Sequence, residues 1–362
     1  MLTSAARNTR QTVTVTATTD ARVQYTAELA RGVERFLEPP RRTCPWCGSP
    51  DLVVRMRTPD LIQGKPGVFT LSRCRTCRHV FQNPRLTLEG LDFYYRDFYD
   101  GLGQQVMEPV FDGGTAVNHA RARDVLAVTT PKTWLDVGTG YGYFAKHSRE
   151  LLPDTVFEGL DLGSGVELGV QRGWLARGHR ALFLDCVEEL AGRFDVLSMH
   201  HYLEHTRDPR AELDGAARVL RPGSYLLIEM PDPDYNLAPA FGRWWFPLLQ
   251  PQHQHMIPLP NLLGALAERG FQPLRITRGQ AHIGIDATWA LVQLFAVIGR
   301  DPSLPWLTEP ETPARRRRHE LVWQKLAPKG FAAMHKVDAV LGAIARRTDS
   351  ANTYRVLARR LS

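Results

Sequence analysis

No apolar run in this chain is long enough to cross a bilayer. The longest, residues 287–299, covers 13 residues and is interrupted by Thr288 and Gln293. A spanning helix needs roughly 20. The opening stretch MLTSAARNTRQTVTVTATTD lacks an apolar core of signal-peptide length, so the expected location is cytoplasmic. No internal repeat is visible, and cysteine is scarce, with five in 362 residues. Net charge is also missing over most of the length. Residues 301–362 hold 12 Lys/Arg and 6 Asp/Glu, nearly all of the net +7, and the other 300 residues are almost neutral. With 43% hydrophobic and 23% charged residues, wholesale disorder, collagen-like repeats and a multispanning membrane protein are excluded. The length suits two or three units, at least one with a full core.

Four of the five cysteines form two C-x-x-C pairs, Cys44/Cys47 and Cys74/Cys77, separated by 26 residues. Two-residue spacing turns both thiolates of a pair toward one ion, and two pairs complete a tetrahedral site that suits zinc. A disulfide pair is disfavoured in a cytoplasmic chain, and a redox pair by the doubling of the motif. With all four positions filled by thiolates, one zinc per chain is expected in a structural role. The spacer predicts a hairpin with strands at 53–57 and 68–71.

From residue 133 the pattern changes to short β-type runs alternating with helical ones: strands at 133–137, 156–160, 181–184, 194–199 and 225–230, with helices from 143, near 165–176 and at 210–220. Such alternation predicts a parallel sheet covered on both faces. A helix at 261–269 and a strand at 271–277 follow. Residues 281–350 have helical periodicity broken by Pro302, Pro305, Pro310 and Pro313, and 352–359 partly alternate as an edge strand would, with a terminal helix left open. The expected layout is a loose segment with a short helix at 1–40, a zinc ribbon at 41–85, a helical and aromatic linker at 86–130, the core at 131–280, a helical insertion at 281–350 and a final strand at 351–362.

The chemistry concentrates at Trp134-Leu135-Asp136-Val137-Gly138-Thr139-Gly140-Tyr141-Gly142. A strand ends in Asp and a G-x-G-x-G turn opens a helix. Glycines there let the backbone approach a ligand closely, and the helix N-terminus offers free N–H groups. A dinucleotide fingerprint is G-x-G-x-x-G, and Tyr143 breaks that spacing. Asp161 is expected to end the second strand, where a carboxylate accepts both hydroxyls of a ribose. Asp185 is expected to end the third, within reach of an adenine amino group. The fourth strand ends in Ser198-Met199-His200-His201.

These residues, with Phe194-Asp195-Val196, Leu203-Glu204-His205, Asp208-Pro209 and Leu220-Arg221-Pro222-Gly223, resemble the class I S-adenosylmethionine-dependent methyltransferases over roughly 110–280 and the last strand. The resemblance implies an α/β fold with a doubly wound, seven-stranded, mostly parallel sheet and its last strand antiparallel. It implies cofactor contacts at Asp136, Gly138, Thr139, Gly140, Tyr141, Gly142, Asp161, Leu162, Asp185, Cys186 and Met199, with Asp136 orienting the methionine amino group. The four-cysteine unit, Phe81-Gln82-Asn83-Pro84-Arg85 and a Tyr-rich stretch look like the zinc-bearing subgroup that includes deoxysugar C-3 methyltransferases. In that subgroup a Glu-His pair precedes the late helix; here Gln254-His255 stands in its place.

The expected activity is methyl transfer to a small-molecule acceptor, such as a sugar or another secondary metabolite. Histidine suits base work near neutral pH, and His255 and His201 are the candidates. A second metal site at His253 and His255 stays open, as do Tyr95 and Tyr99 at the substrate mouth. A nucleic-acid methyltransferase using the zinc unit and basic tail is the alternative. The fourth strand does not end in an Asn/Asp-Pro-Pro-Tyr sequence, however, and no Pro-Cys nucleophile is present. A non-catalytic interaction protein is a further reading. The apolar stretch 289–298 is read as buried in the core or in a homodimer, with a peripheral membrane helix beside Arg315–Arg318 as its alternative.

Overall fold

The computed structural model describes residues 21–98, 108, 112–278 and 286–361. Tyr99 and the expected loose segment at 1–20 lie outside the described residues. After a helix over 21–29, β1 (Leu52–Pro59) and β2 (Val68–Cys74) pair antiparallel, and β3 (Val80–Gln82) extends the sheet. The hairpin is the one that the cysteine spacing predicts. Helix α1 (Leu88–Tyr95) starts at Thr87, whose hydroxyl accepts the Gly90 N–H, and buries Phe93 and Tyr94 against Phe36. Helix α2 (Thr115–Leu126) leads into the core.

The core alternates as expected: β4 (Thr133–Val137), α3 (Tyr143–Ser148), β5 (Val156–Asp161), α4 (Gly165–Gln171), β6 (Arg177–Arg180), α5 (Phe183–Leu190), β7 (Val196–His200), α6 (Pro209–Val219) and β8 (Tyr225–Pro231). The two-residue β9 (His255–Met256) follows, then α7 (Leu259–Glu268) and β10 (Phe271–Thr277). Three further helices, α8 (Asp286–Ile298), α9 (Pro313–Glu320) and α10 (Ala327–Thr348), precede β11 (Thr353–Arg360). The seven-stranded order is β10-β11-β8-β7-β4-β5-β6, with β11 antiparallel to both its neighbours and the other four pairs of strands running parallel across the sheet. The final strand is thus a strand, set inside the sheet rather than at its edge. No helix among the described residues is long and apolar enough to cross a membrane.

Side chains alternate across the sheet with period two. Leu135, Val137, Leu197, Met199, Leu226, Ile228 and Val356 face α5, α6 and α7. Trp134, Val196, Leu227 and Leu357 face α2, α3 and α4. Each such side chain contributes about 1.5–3 kcal/mol on burial. One charged network lies within this apolar frame. Glu229 on β8 receives Arg121 of α2 and Arg355 of β11, at 2.8 Å for Arg355 Nη1, and Arg355 Nε also donates to Asp124 at 2.6 Å. All four groups are buried.

The third strand falls at Arg177–Arg180, not at the expected 181–184. Phe183, Val187 and Leu190 share one buried helical face, while Leu182 and Leu184 are exposed. The apolar residues that looked like a strand are therefore the start of an amphipathic helix. The true strand is a sheet edge paired only with β5, where charged residues are at home.

A candidate donor and acceptor site at the strand ends

The C-terminal ends of β4 and β5 form the first half of the site. Asp136 is buried, and its Oδ1 accepts the Ser198 hydroxyl at 2.6 Å. Ser198 in turn accepts the Trp134 indole N–H at 2.8 Å. His200 Nδ1 lies 3.2 Å from the same Asp136 oxygen. Burial, with the nearby Arg121 charge, pushes His200 down to about 4, so its ring is neutral. The turn that follows takes Gly138 to φ +77° and Gly140 to φ +55°, values that favour glycine. A Cβ on Gly138 would come within 2.8 Å of the Tyr202 ring, whereas a Cβ on Gly140 would meet nothing within 4 Å. The backbone at Gly140 therefore borders open space.

Asp161 ends β5 as expected. Its Oδ2 accepts the Gly140 N–H and its Oδ1 the Gly163 N–H, both at 2.8 Å. The carboxylate thus fixes the glycine turn. Leu162 beside it is 62% exposed, an apolar surface at the mouth. The Thr139 hydroxyl is buried without a partner. Tyr141 is buried, and Gly142, at φ +80°, caps α3. Met199 is buried in β7 and Cys186 half-buried on α5. Asp185 does not end a strand. It is exposed on the first turn of α5, because β6 lies earlier in the chain.

The second half lies beyond β7 and β8. A small cavity is lined by His201, Pro231, Phe246, Pro247, His253, Asp286, Trp289, Asn352 and Thr353. Its walls come from five separated parts of the chain. Two contacts bring α8 to this wall: Trp289 stacks on Phe246 at 4.2 Å, and Gln293 Nε2 donates to the Trp244 carbonyl at 2.7 Å. Asp338 of α10 caps the start of α8, accepting the Ala287 and Thr288 N–H groups at 2.8 and 3.1 Å. That cap holds Asp286 at the wall, where the Asn352 amide donates to its Oδ1 at 2.9 Å. Burial pushes Asp286 up to about 6 against the Asn352 bond, helped by the nearby Asp338 charge.

His201 reaches the cavity, with φ +50° and its Nδ1 2.9 Å from Glu204 and Nε2 3.2 Å from Glu229. Burial alone would lower its pKa, but the two carboxylates outweigh it and raise the pKa, which favours the imidazolium. His255 does not line the cavity. Its place on β9, opposite Phe81 of β3, turns it into the cysteine unit, with Nδ1 3.0 Å from His79 Nε2. Burial pushes it down to about 4. The open possibility of His253 and His255 as joint metal ligands is not met, since His255 turns to His79. His253 instead packs its ring against His205 at 4.5 Å, with Glu204 alongside. Tyr95 also meets His205, its hydroxyl 2.6 Å from Nδ1. Asp286 carried no motif in the sequence, and its only signal was its position at the head of an apolar helix.

In the N-terminal unit the four thiols converge. Cys44 and Cys77 are 3.6 Å apart at sulfur, as are Cys47 and Cys74. Each pair ends in the same turn. The Gly48 N–H donates to the Cys44 carbonyl and the Arg78 N–H to the Cys74 carbonyl, both at 2.9 Å, with φ +75° and +65°.

Solved structures similar to the chain include a SAM-dependent methyltransferase from Archaeoglobus fulgidus, 15% identical over 71% of this chain and 99% of that one, with a TM-score of 0.44. Another is phosphoethanolamine N-methyltransferase 2 from Haemonchus contortus in complex with S-adenosyl-L-methionine, 18% identical over 78% of this chain and 64% of that one, TM-score 0.48. No curated protein matches the chain. The family described as a methyltransferase domain matches residues 117–276, which span α2 to β10 and contain the glycine turn, Asp161 and His201. Residues 117–276 thus match a methyltransferase domain, and the strand order described above is that of an α/β fold with a seven-stranded, mostly parallel sheet.

Proposed function

We propose that the protein is an S-adenosylmethionine-dependent methyltransferase whose acceptor is a small molecule of the sugar or secondary-metabolite class. The observation that carries the reading is the open space over Gly140, bordered by the Asp161 carboxylate at the neighbouring strand end. Ligands of doubly wound sheets bind at such strand ends. Asp136 would take the amino group, the backbone of Gly138, Thr139, Gly140, Tyr141 and Gly142 would pass under the cofactor, and Asp161 and Leu162 would meet the ribose. Asp185 and Cys186 would flank the adenine, with Met199 beneath. When bound, S-adenosylmethionine supplies an electrophilic methyl group on a sulfonium.

The rest is work for this chain's residues. Ser198 and Trp134 lock Asp136 in one orientation, which lowers the cost of ordering it on binding. The cavity is walled on several sides, which suits a compact acceptor better than a polynucleotide. Asp286 is the base we favour: it faces the cavity, and its raised pKa near 6 puts it close to the working pH. His201, held toward the imidazolium between two carboxylates, is a donor rather than an acceptor of protons. Calorimetry with S-adenosylmethionine tests the donor half, and absence of heat would overturn it. Release of S-adenosylhomocysteine with nucleotide sugars, but not with RNA or DNA, tests the acceptor class.

The cysteine unit is proposed to hold one structural zinc on Cys44, Cys47, Cys74 and Cys77. Zinc–sulfur bonds of 2.3 Å place the sulfurs of a tetrahedron about 3.8 Å apart, close to the two separations of 3.6 Å. Metal analysis of wild type and Cys47→Ser should show zinc that only the wild type retains.

A further inference from the structure

We propose that Glu204, His205 and His253 form a second metal site, for a divalent transition ion with zinc as the first choice, in the wall of the cavity that His253 lines. This is a statement about ion binding and stands whether or not the chain transfers methyl groups. Glu204 and His205 share a single helical turn, Leu203–His205. His253 arrives from the segment before β9. One donor atom from each of the three lies within 4.8 Å of the others. Zinc–nitrogen bonds of 2.0–2.1 Å put donors about 3.3 Å apart, so side-chain adjustment of about an ångström or so closes the site.

Three details point to an ion rather than to a self-contained cluster. Glu204 is fully buried; its Oε1 meets His201 at 2.9 Å, but its Oε2 has no hydrogen-bond partner. A buried carboxylate oxygen left bare is costly, and an ion is one of the few explanations for it. The His253 ring is oriented from behind, with Nδ1 2.6 Å from the Pro247 carbonyl. A carbonyl only accepts, so Nδ1 carries the proton and Nε2 the lone pair, which is how a metal-ligating histidine is fixed. His205 is oriented in the same way. The Tyr95 hydroxyl lies 2.9 Å from the Gln252 carbonyl, to which it must donate, and 2.6 Å from His205 Nδ1, from which it then accepts. The two imidazole rings stand nearly perpendicular, at 85°.

Two histidines and one carboxylate are a ligand set of catalytic zinc sites, which leave a position for an outside ligand. Here the outside ligand would come from the cavity, as water or as an oxygen of a bound molecule. The cysteine unit differs in both respects, with four sulfur ligands and no open position.

The test is a titration of the zinc-loaded protein, its thiolates already occupied, with Co²⁺. The expected result is one saturable equivalent with weak d–d absorption, no thiolate charge-transfer band, and displacement by added Zn²⁺. His253→Ala and Glu204→Gln should each weaken Co²⁺ binding more than about 100-fold. Tyr95→Phe, which removes only an orienting partner, should weaken it about 10–100-fold. Circular dichroism confirms that each variant is folded, and His205→Ala, at a less buried position than Glu204 or His253, substitutes for any that is not. The wild-type titration decides by itself: a folded protein with no saturable equivalent, or one whose cobalt spectrum is that of thiolates, overturns the proposal. Unchanged affinity in folded His253→Ala moves the ion elsewhere and overturns it equally.

Discussion

The two halves of the site are built in opposite ways. The half over β4 and β5 is local: residues 136–142 are one strand-turn-helix unit, and Asp161 fastens it from the next strand through the Gly140 N–H. The half over β7 and β8 is assembled from a distance. Its walls come from 201, 231, 246–253, 286–289 and 352–353, brought together only when α8, α10 and β11 are docked. A local site is fixed by backbone geometry and tolerates change elsewhere. An assembled site depends on the packing of every contributor.

Four substitutions test that contrast, in order of expected effect. Arg355→Ala leaves Glu229 and Asp124 short of a buried partner on the strand that carries Asn352 and Thr353. It should cost about 3–5 kcal/mol of stability, read from urea unfolding, and a loss below 1 kcal/mol would break the picture of an assembled half. Asp286→Asn should lower turnover about 100- to 10,000-fold with donor affinity unchanged. The wild-type rate should also fall as pH drops through about 6, because the base is the ionised form and Asp286 is raised to that value. Asp338, Tyr235, His201 and His253 face the same region, so the limb is assigned to Asp286 only if Asp286→Asn removes it.

Asp161→Ala should act on the other half alone. It removes a charge-assisted acceptor worth about 1.5–3 kcal/mol, or about 10–150-fold in donor affinity, and calorimetry reads it directly. A matching loss of acceptor binding would show that the two halves are not independent. His255→Ala should leave turnover unaltered while removing the His79 contact, at a stability cost of about 1–3 kcal/mol. A 100-fold drop in turnover of the folded variant would return the base to His255.

The same contrast explains what the sequence disclosed. Asp136, Gly138, Gly140 and Asp161 were readable because their spacing is set by one strand-turn-strand geometry. The cysteine unit was readable because thiolate spacing is also local. The third strand was missed because an edge strand of Arg-Gly-His-Arg has no apolar alternation to betray it, while the first turn of α5 does. His255 was expected at the cavity because it precedes the late helix, and the pairing of β9 with the distant β3, which no local pattern discloses, turns it away. Asp286 needed the α10 cap and Asn352, respectively 52 and 66 residues away in sequence, before it had a neighbour at all.

The short strand β9 has a practical consequence. It gives β3 its outer neighbour, Val80 facing Met256 and Phe81 facing His255, so the cysteine unit is completed by a piece of the domain behind it. A truncated chain beginning near residue 86 would bare the unpaired edge of β9 and the apolar Met256, both buried in the intact protein. Exposed strand edges beside apolar surface recruit other chains. Removing the N-terminal unit should therefore yield aggregates on expression instead of a smaller enzyme, and solubility would fall before any catalytic question could be asked.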